Sequence, residues 1–558
     1  VTRSIPGGAF LLTRQTPQDQ FIPEELGVEH LAIARTVQEF WTNEVEPDLE
    51  AIRRKEPGVL LKVLRKSAEL GLTGISIPER FGGMDLDLAA VMIIEECFAR
   101  DASYLVTHGG QAGIGALPLV FFGTEQQKAR YLPKLAAAEM IAAYALTEPQ
   151  AGSDALAVRT RADLSADGKH YILNGQKMWI TNGGIADLFT AFAKVGGERF
   201  TAFLVERGFP GVNIGAEEKK MGLHGSSTTA VFFDNVLVPV ENVLGEIGRG
   251  HVIAFNVLNI GRLKIGPYAA GASKEVLAVC LKYAKQRKAF GSAIVEFGAI
   301  QHKLAEMAVR IFAVESMFWR VVGMIEASLM EAATDTDEPA EKLKAIEEYA
   351  IECSIVKVFA SEAVGYVTDE GVQIHGGYGY HQDYAVERFY RDARIFRIFE
   401  GTNEINRLLI VSMFLKREGR GRLSLTAVEP QGSADDPVAQ GKNLVLAALR
   451  AARETFGAEL EKQQEVVMAI SDIIVEVFAM ESAWLRAQKL AAAGKGANAQ
   501  DLFAVLLHQG TASIENAARE VFTACGKEAP RMNANPVDAI ALRRKIARRL
   551  LDADRYVA

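Results

Sequence analysis

From about Pro23 to Ala145 apolar residues recur at three- and four-residue spacing, as in Leu31, Ala34, Val37 and Trp41, the pattern of helices that each bury one face. Around Leu146 the period changes. His170 to Asn174, Asp187 to Val195, Arg199 to Glu206 and Thr229 to Val238 alternate or run apolar between turns such as Asp167-Gly168, Asn174-Gly175 and Gly196-Gly197, which predicts a compact β domain. Past Gly250 the helical period returns. Its clearest run is Ile300, Leu304, Met307, Ile311, Val314, Phe318, Val321 and Ile325, a seam of long packed helices.

The acidic stretch Thr334 to Glu341, with Pro339, reads as a joint between two helices, and the Gly-, Ser-, Pro- and Asp-rich stretch 418–442 as a linker. Beyond it Val466, Ile470, Ile473 and Val477 form another helical stripe, and Asn535-Pro536 reads as the N-cap and first residue of a last helix. The expected order is a helical domain (1–145), a β domain (146–250), a helical bundle (251–417), the linker, and a C-terminal helical domain (443–558).

The 558 residues leave room for three to four domains at roughly 150 residues each. Charged residues are 24% and hydrophobic residues 49%, which is ordinary globular usage. With 62 Lys+Arg against 70 Asp+Glu the net charge is −8, so no overall basic footprint for nucleic acid exists. Four well-separated cysteines suggest a reducing compartment, and neither a signal peptide nor an apolar stretch near the ~20 residues of a membrane span is expected.

Absences narrow the chemistry. None of the nine histidines is followed by glutamate, and GxSxG, GxxxxGK[ST] and GxGxxG are all missing. Zincin, α/β-hydrolase, P-loop and Rossmann sites drop out, and no metal site is expected.

Five local sequences remain. Tyr144-Ala-Leu-Thr-Glu-Pro-Gln-Ala-Gly-Ser-Asp154, at the junction of helical and β blocks, offers Thr147 and Ser153 to a polar ligand, or is an ordinary turn-rich connection. In Lys177-Met-Trp-Ile-Thr-Asn-Gly183, Trp179 either covers a planar heterocycle whose edge Thr181 fixes, or is a core residue of a strand. In Lys285-Gln-Arg-Lys-Ala-Phe-Gly291, Arg287 either meets a phosphate or complements a helix dipole. Gln373-Ile-His-Gly-Gly-Tyr-Gly379 allows backbone to approach a ligand, or simply ends a helix. In Arg391-Asp-Ala-Arg-Ile-Phe-Arg-Ile-Phe-Glu-Gly-Thr-Asn-Glu404, Glu400 sits between aromatic surroundings and a glycine, the setting of a base with a raised pKa or merely of a solvated carboxylate, and a helix should restart at Thr402 or Asn403.

Taken together and in this order, from about residue 25 to 415, these segments resemble the acyl-CoA dehydrogenase family, FAD-dependent flavoproteins that desaturate acyl thioesters. The resemblance implies a mainly α fold with a central β-barrel-like domain between a helical domain and a helical bundle. It implies that Tyr144, Leu146, Thr147, Ser153, Trp179 and Thr181 line the FAD. Arg287 and Phe290, with Gln373, Gly376 and Gly377, would serve the cofactor across a homodimer, and Thr402 and Glu404 would lie near its pyrophosphate. Glu400 matches the family's base, which takes the α-proton while the β-hydrogen leaves as hydride to the flavin; the base's own backbone N–H helps hold the enolate oxygen. An entering acyl chain should desolvate Glu400 and raise its pKa toward the ~6 to 7 useful for a base. The alternative position for this glutamate, one residue before the arginine of Asn259-Ile-Gly-Arg262, is Gly261 here. Ser153, Arg262, Gly109, Gly110 and Gly401 are the expected substrate contacts.

Gly298, Asn259 and the segment past residue 430 resemble the very-long-chain subgroup. Gly109 and Gly110 either deepen a pocket for a long acyl chain or pack a helix. The basic face Arg543, Arg544, Lys545, Arg548 and Arg549 either lies on an anionic membrane or is a solvated face of a packed helix. The implied activity is that of a long-chain dehydrogenase, cytoplasmic or membrane-peripheral, passing electrons to an electron-transfer flavoprotein. An acyl-CoA oxidase or a non-catalytic scaffold is the alternative.

Overall fold

A computed structural model describes residues 4–332, 339–425, 436–533 and 537–558. The chain forms two compact units. One holds Gly27–Gly261, and the other holds the segment up to Leu26 together with most of the chain beyond Arg262.

The first unit begins with helices α1 (Val28–Phe40), α2 (Leu49–Arg53), α3 (Val59–Glu69), α4 (Leu88–Phe98), α5 (Ala102–Ala112), α6 (Leu117–Phe122) and α7 (Glu125–Ala136). Of the stripe on α1, Val37 is buried and Trp41 packs just past the helix end, whereas Leu31 faces solvent. The sheet follows as β1 (Ala142–Ala145), β2 (Arg161–Leu164), β3 (His170–Thr181), β4 (Leu188–Val195), β5 (Arg199–Glu206), β6 (Val212–Glu217), β7 (Thr228–Pro239) and β8 (Val243–Leu244). Its order is β6-β7-β3-β2-β4-β5-β8, with β1 also on β4. β1 and β2 run parallel to β4, and the other pairs are antiparallel. β4 and β5 are apolar almost throughout and covered on both faces, so they show no alternation. The β3–β7 ladder shifts register twice, at Leu173/Gly175 and at Lys177/Ile180. The second shift is a bulge that carries Met178 and Trp179.

Helix α8 (Gly250–Gln286) continues into the second unit, which contains the hairpin β9 (Lys288–Ala289) and β10 (Ser292–Ala293) and helices α9 (Gly298–Ala332), α11 (Ala350–His375), α12 (Ala385–Ala393), α13 (Asn403–Gly419), α14 (Pro437–Phe456), α15 (Gln464–Ala492), α16 (Ala497–Ala524) and α17 (Ala539–Ala553), whereas residues 339–344 of α10 (Pro339–Glu348) belong to the first. The predicted seam lies on α9, buried from Leu304 to Ile325. One apolar cluster combines residues of α8, α9, α16 and α17, so the C-terminal helices share the bundle's core.

Several boundaries differ from expectation. Residues 4–26 belong to the second unit, not to the first helical domain: Phe10 is fully buried, with its ring 4.8 Å from Phe478 and 6.2 Å from Phe414. The sheet starts at Ala142 rather than past 145. The proposed linker is shorter than 418–442, since α13 runs to Gly419 and α14 starts at Pro437 behind an Asp436 cap; 426–435 lie outside the described residues. So do 334–338 of the acidic joint and the proposed cap Asn535-Pro536, and α17 is capped by Asp538, which accepts from the Ala541 amide. Contrary to expectation, Ala102–Phe122 is long and apolar enough by composition to cross a membrane, but it is broken into α5 and α6 and 78% buried within the fold.

Candidate active site

The loop before α13 is set by backbone geometry. Thr402 caps the helix by accepting from the Ile405 amide at 3.3 Å, and the two preceding residues, Glu400 (φ 57°) and Gly401 (φ 85°), are both left-handed. Glycine takes that conformation freely, but a glutamate there costs about 1–3 kcal/mol and needs restraint. Arg262 Nε donates to the Glu400 carbonyl at 3.1 Å, and Asn406 Nδ2 donates to the carbonyls of Gly401 and Thr402 at 2.8 and 3.0 Å. Arg262, expected as a substrate contact, is buried and turned onto the backbone of the loop.

The Glu400 residue keeps part of its surface, yet its Oε2 is buried without a hydrogen-bond partner. Burial pushes this carboxyl up to about 7, against the opposing pull of Arg262, Lys357 and Lys264. A carboxyl poised there can take up and release a proton near neutral pH. Burial within the protein accounts for this value. Glu404 lies exposed in the first turn of α13.

Elsewhere in this unit, a cavity of about 670 Å³ is lined by Tyr283, Arg287, His375, Gly376, Gly377 and Tyr378, among others. The Arg287 guanidinium lies 5.4 Å from the Tyr378 ring. Beside it the β9–β10 turn consists of Phe290 (φ 53°) and Gly291 (φ 84°), and Phe290 is 98% exposed. Two successive left-handed residues are the geometry of a tight two-residue hairpin turn, and the exposed ring has an edge contact with Phe297, centroids 6.1 Å apart. Gln373, on the last turn of α11, is exposed and does not line this cavity.

In the first unit, the bulge of β3 holds Trp179 left-handed (φ 58°) and 54% exposed, so it is not a core residue of its strand. Met178 N donates to Thr147 O at 2.9 Å, which places the Leu146–Thr147 segment beside the bulge. Beneath lies a buried ion pair. Lys177 Nζ donates to Glu148 Oε1 at 2.7 Å and to the Leu146 carbonyl at 3.2 Å; Glu148 also accepts from the amides of Arg159 and Thr160 and from the Thr160 hydroxyl. Burial pushes Lys177 down to about 8, and it opposes ionisation of Glu148, whose carboxyl is nonetheless held below its usual range by Lys177 and those donors. The loop from Glu148 to Thr160, with the exposed Ser153, is thereby closed at both ends. Tyr144 donates to the Ala254 carbonyl at 3.4 Å.

Lys177 and Glu148 were quoted in the sequence but not assigned. The signal was a lysine in phase with the inward-facing Tyr171 and Leu173 of β3. Gly109 and Gly110 are buried in α5. A Cβ on Gly110 would meet Asn182 Nδ2 at 2.7 Å and Thr181 Cγ2 at 3.3 Å, so this glycine packs the Thr181–Asn182 turn rather than deepening a pocket.

An exposed indole beside a clamped polar loop suits a planar heterocycle, and an arginine beside a Gly-Gly turn suits a diphosphate. The residues present therefore fit FAD.

The chain matches family models described as acyl-CoA dehydrogenase N-terminal domain (28–139), middle domain (143–236) and C-terminal domain (248–415), and a further acyl-CoA dehydrogenase C-terminal domain (440–531). It is 43% identical to a Bacillus subtilis protein described as "Probable acyl-CoA dehydrogenase", over 99% of this chain and 98% of that one. To the human mitochondrial very long-chain specific acyl-CoA dehydrogenase it is 44% identical, over 61% of this chain and 51% of the human one. A crystal structure of an acyl-CoA dehydrogenase complexed with FAD from Bacillus anthracis superposes with a TM-score of 0.96 at 42% identity, covering both chains completely.

Proposed function

Because the chain belongs to the acyl-CoA dehydrogenase family and is an FAD-dependent acyl-CoA dehydrogenase, we propose that it converts long-chain acyl-CoA to trans-2-enoyl-CoA with Glu400 as the base. The observation that carries the role of Glu400 is a buried, unpartnered carboxylate oxygen on a loop restrained in a left-handed conformation. A thioester α-proton is weakly acidic, so its removal needs a base whose pKa lies near the working pH. Glu400 meets that need: the proton moves from the α-carbon to its carboxylate, and the Glu400 N–H is the proposed donor to the developing enolate oxygen. Bound FAD supplies the acceptor for the β-hydrogen, which leaves as hydride. Arg262 and Asn406 keep the loop rigid, so that the carboxylate is presented without reorganisation.

Likeness to the very long-chain enzymes supports a long acyl chain, while Gly110 gives it no support. The exposed Phe290 beside the Arg287 cavity supports a second copy of this chain as the missing partner, hence a homodimer. An electron-transfer flavoprotein is the proposed acceptor and the cytoplasm the proposed compartment. Anaerobic titration of the yellow protein with acyl-CoAs of increasing length tests the reading. Flavin bleaching is expected with long chains and weak with butyryl-CoA, and no bleaching with any chain would reject it.

A further inference from the structure

Lys357 lies in the middle of α11 and is fully buried. Its ammonium donates to Asn403 Oδ1 at 2.6 Å, and among the described residues it has no ion-pair partner within 4.0 Å. Glu362, further along α11, is engaged elsewhere: it accepts from Asn403 Nδ2 at 2.9 Å and from Arg407 Nη1 at 2.8 Å. Asn403 is the first residue of α13, three residues after Glu400, and also bonds to Ser361. A buried cation is thus tied by a neutral amide to the start of the helix that follows the proposed base.

We propose that Lys357 is a positioning residue of this site and, beside Arg262, a second counter-charge of Glu400: through Asn403 it registers the loop, and its charge helps set the pH at which the Glu400 carboxylate becomes available. The proposal rests on the reading of Glu400 as base. The charged groups facing the pair are Arg262 and Lys264 from α8, Glu362 from α11 and Glu404 from α13. Burial pushes Lys357 down to about 7, with Glu400 the strongest opposing influence, in keeping with a cation that depends on Glu400 for its charge. When Glu400 gains the substrate proton, Lys357 loses its main counter-charge. The site then favours return of that proton to solvent, as turnover requires.

The test is the acid limb of the pH profile of kcat/KM, measured on the FAD-loaded enzyme with an artificial electron acceptor. Lys357→Met should move the limb upward by about one pH unit, and Lys357→Arg should restore it. Asn403→Asp, which keeps the lysine but gives it a carboxylate of its own, should shift it the same way and serves if the methionine variant does not fold. Proton uptake on binding a non-oxidisable acyl-CoA analogue, read in weakly buffered solution without turnover, should shift in parallel. An acid limb that stays in place in both variants, while Glu400→Gln abolishes turnover, overturns the role of Lys357 alone. Turnover retained in Glu400→Gln overturns the assignment of the base, and this proposal with it.

Discussion

The amide of Asn182 occupies the space that a side chain on Gly110 would need: a Cβ there would sit 2.7 Å from Nδ2. That nitrogen donates to the Thr107 carbonyl at 3.0 Å, and Asn182 is itself left-handed (φ 63°) directly after Thr181. Gly110→Ala should therefore destabilise the protein by about 1–3 kcal/mol and weaken FAD retention, without changing which chain length is preferred. Denaturant melts, the ratio of flavin to protein absorbance, and kcat/KM across chain lengths decide. Altered chain-length preference at unchanged stability would restore the glycine to the acyl pocket.

Glu400→Gln should retain FAD, lose most turnover, and be more stable than the parent at alkaline pH. The sign follows from the carboxyl's rise from 4.5 to about 7 on burial. Below pH 4.5 the group is protonated folded and unfolded, and contributes nothing. As pH rises through the interval the unfolded chain releases its proton first, so stability is lost, reaching at most about 3 kcal/mol above pH 7. Glutamine stays neutral and escapes that loss. Melting temperatures of the two proteins should diverge between pH 5 and pH 8 and coincide near pH 4.

Breaking the Lys177–Glu148 pair should be costly. Lys177→Met strands a buried carboxylate, with an expected loss of about 3–5 kcal/mol and a disturbed flavin spectrum, because Leu146, Thr147 and Trp179 hang on that clamp. The double variant Lys177→Met/Glu148→Gln removes the stranded charge and should recover part of the loss. A double variant as unstable as the sum of the two singles would show that the two residues act independently.

The basic face of α17 is largely occupied within the protein. Arg543 pairs with Glu306 at 2.6 Å, and Lys545 and Arg549 pair with Asp501 at 2.8 and 2.7 Å, while Ile546 and Leu550 are fully buried. The packed-helix reading is favoured over membrane contact. At physiological salt the protein should not sediment with phosphatidylglycerol-containing vesicles. Sedimentation that is lost in Arg544→Glu/Arg548→Glu would reinstate the membrane surface.

The strands β3 and β7 were legible through their length and alternation, and β4 and β5 as continuous apolar runs between turns. β1, an Ala-rich four-residue strand, carries no β signal, and β2 and β6 are short and mostly exposed. Glu400 was legible through its surroundings in the chain. Lys357 and Asn406 were not, because their roles arise only where α11 and α13 meet the loop. The placement of residues 4–26 was illegible for the same reason, since nothing local in that segment names a partner hundreds of residues away.

That segment also bears on the order in which the molecule can be assembled. The Gly7 carbonyl accepts from Arg417, and the Gln20 carbonyl from Lys489, 469 residues later. At about 5–20 residues per second of synthesis, Phe10 and its neighbours wait roughly 20–90 s on the ribosome for the helices that cover them. An apolar segment left open for that time is a ready target for a chaperone. Nascent chains halted before α15 should therefore remain bound to one, although α1–α7 and the sheet are already complete.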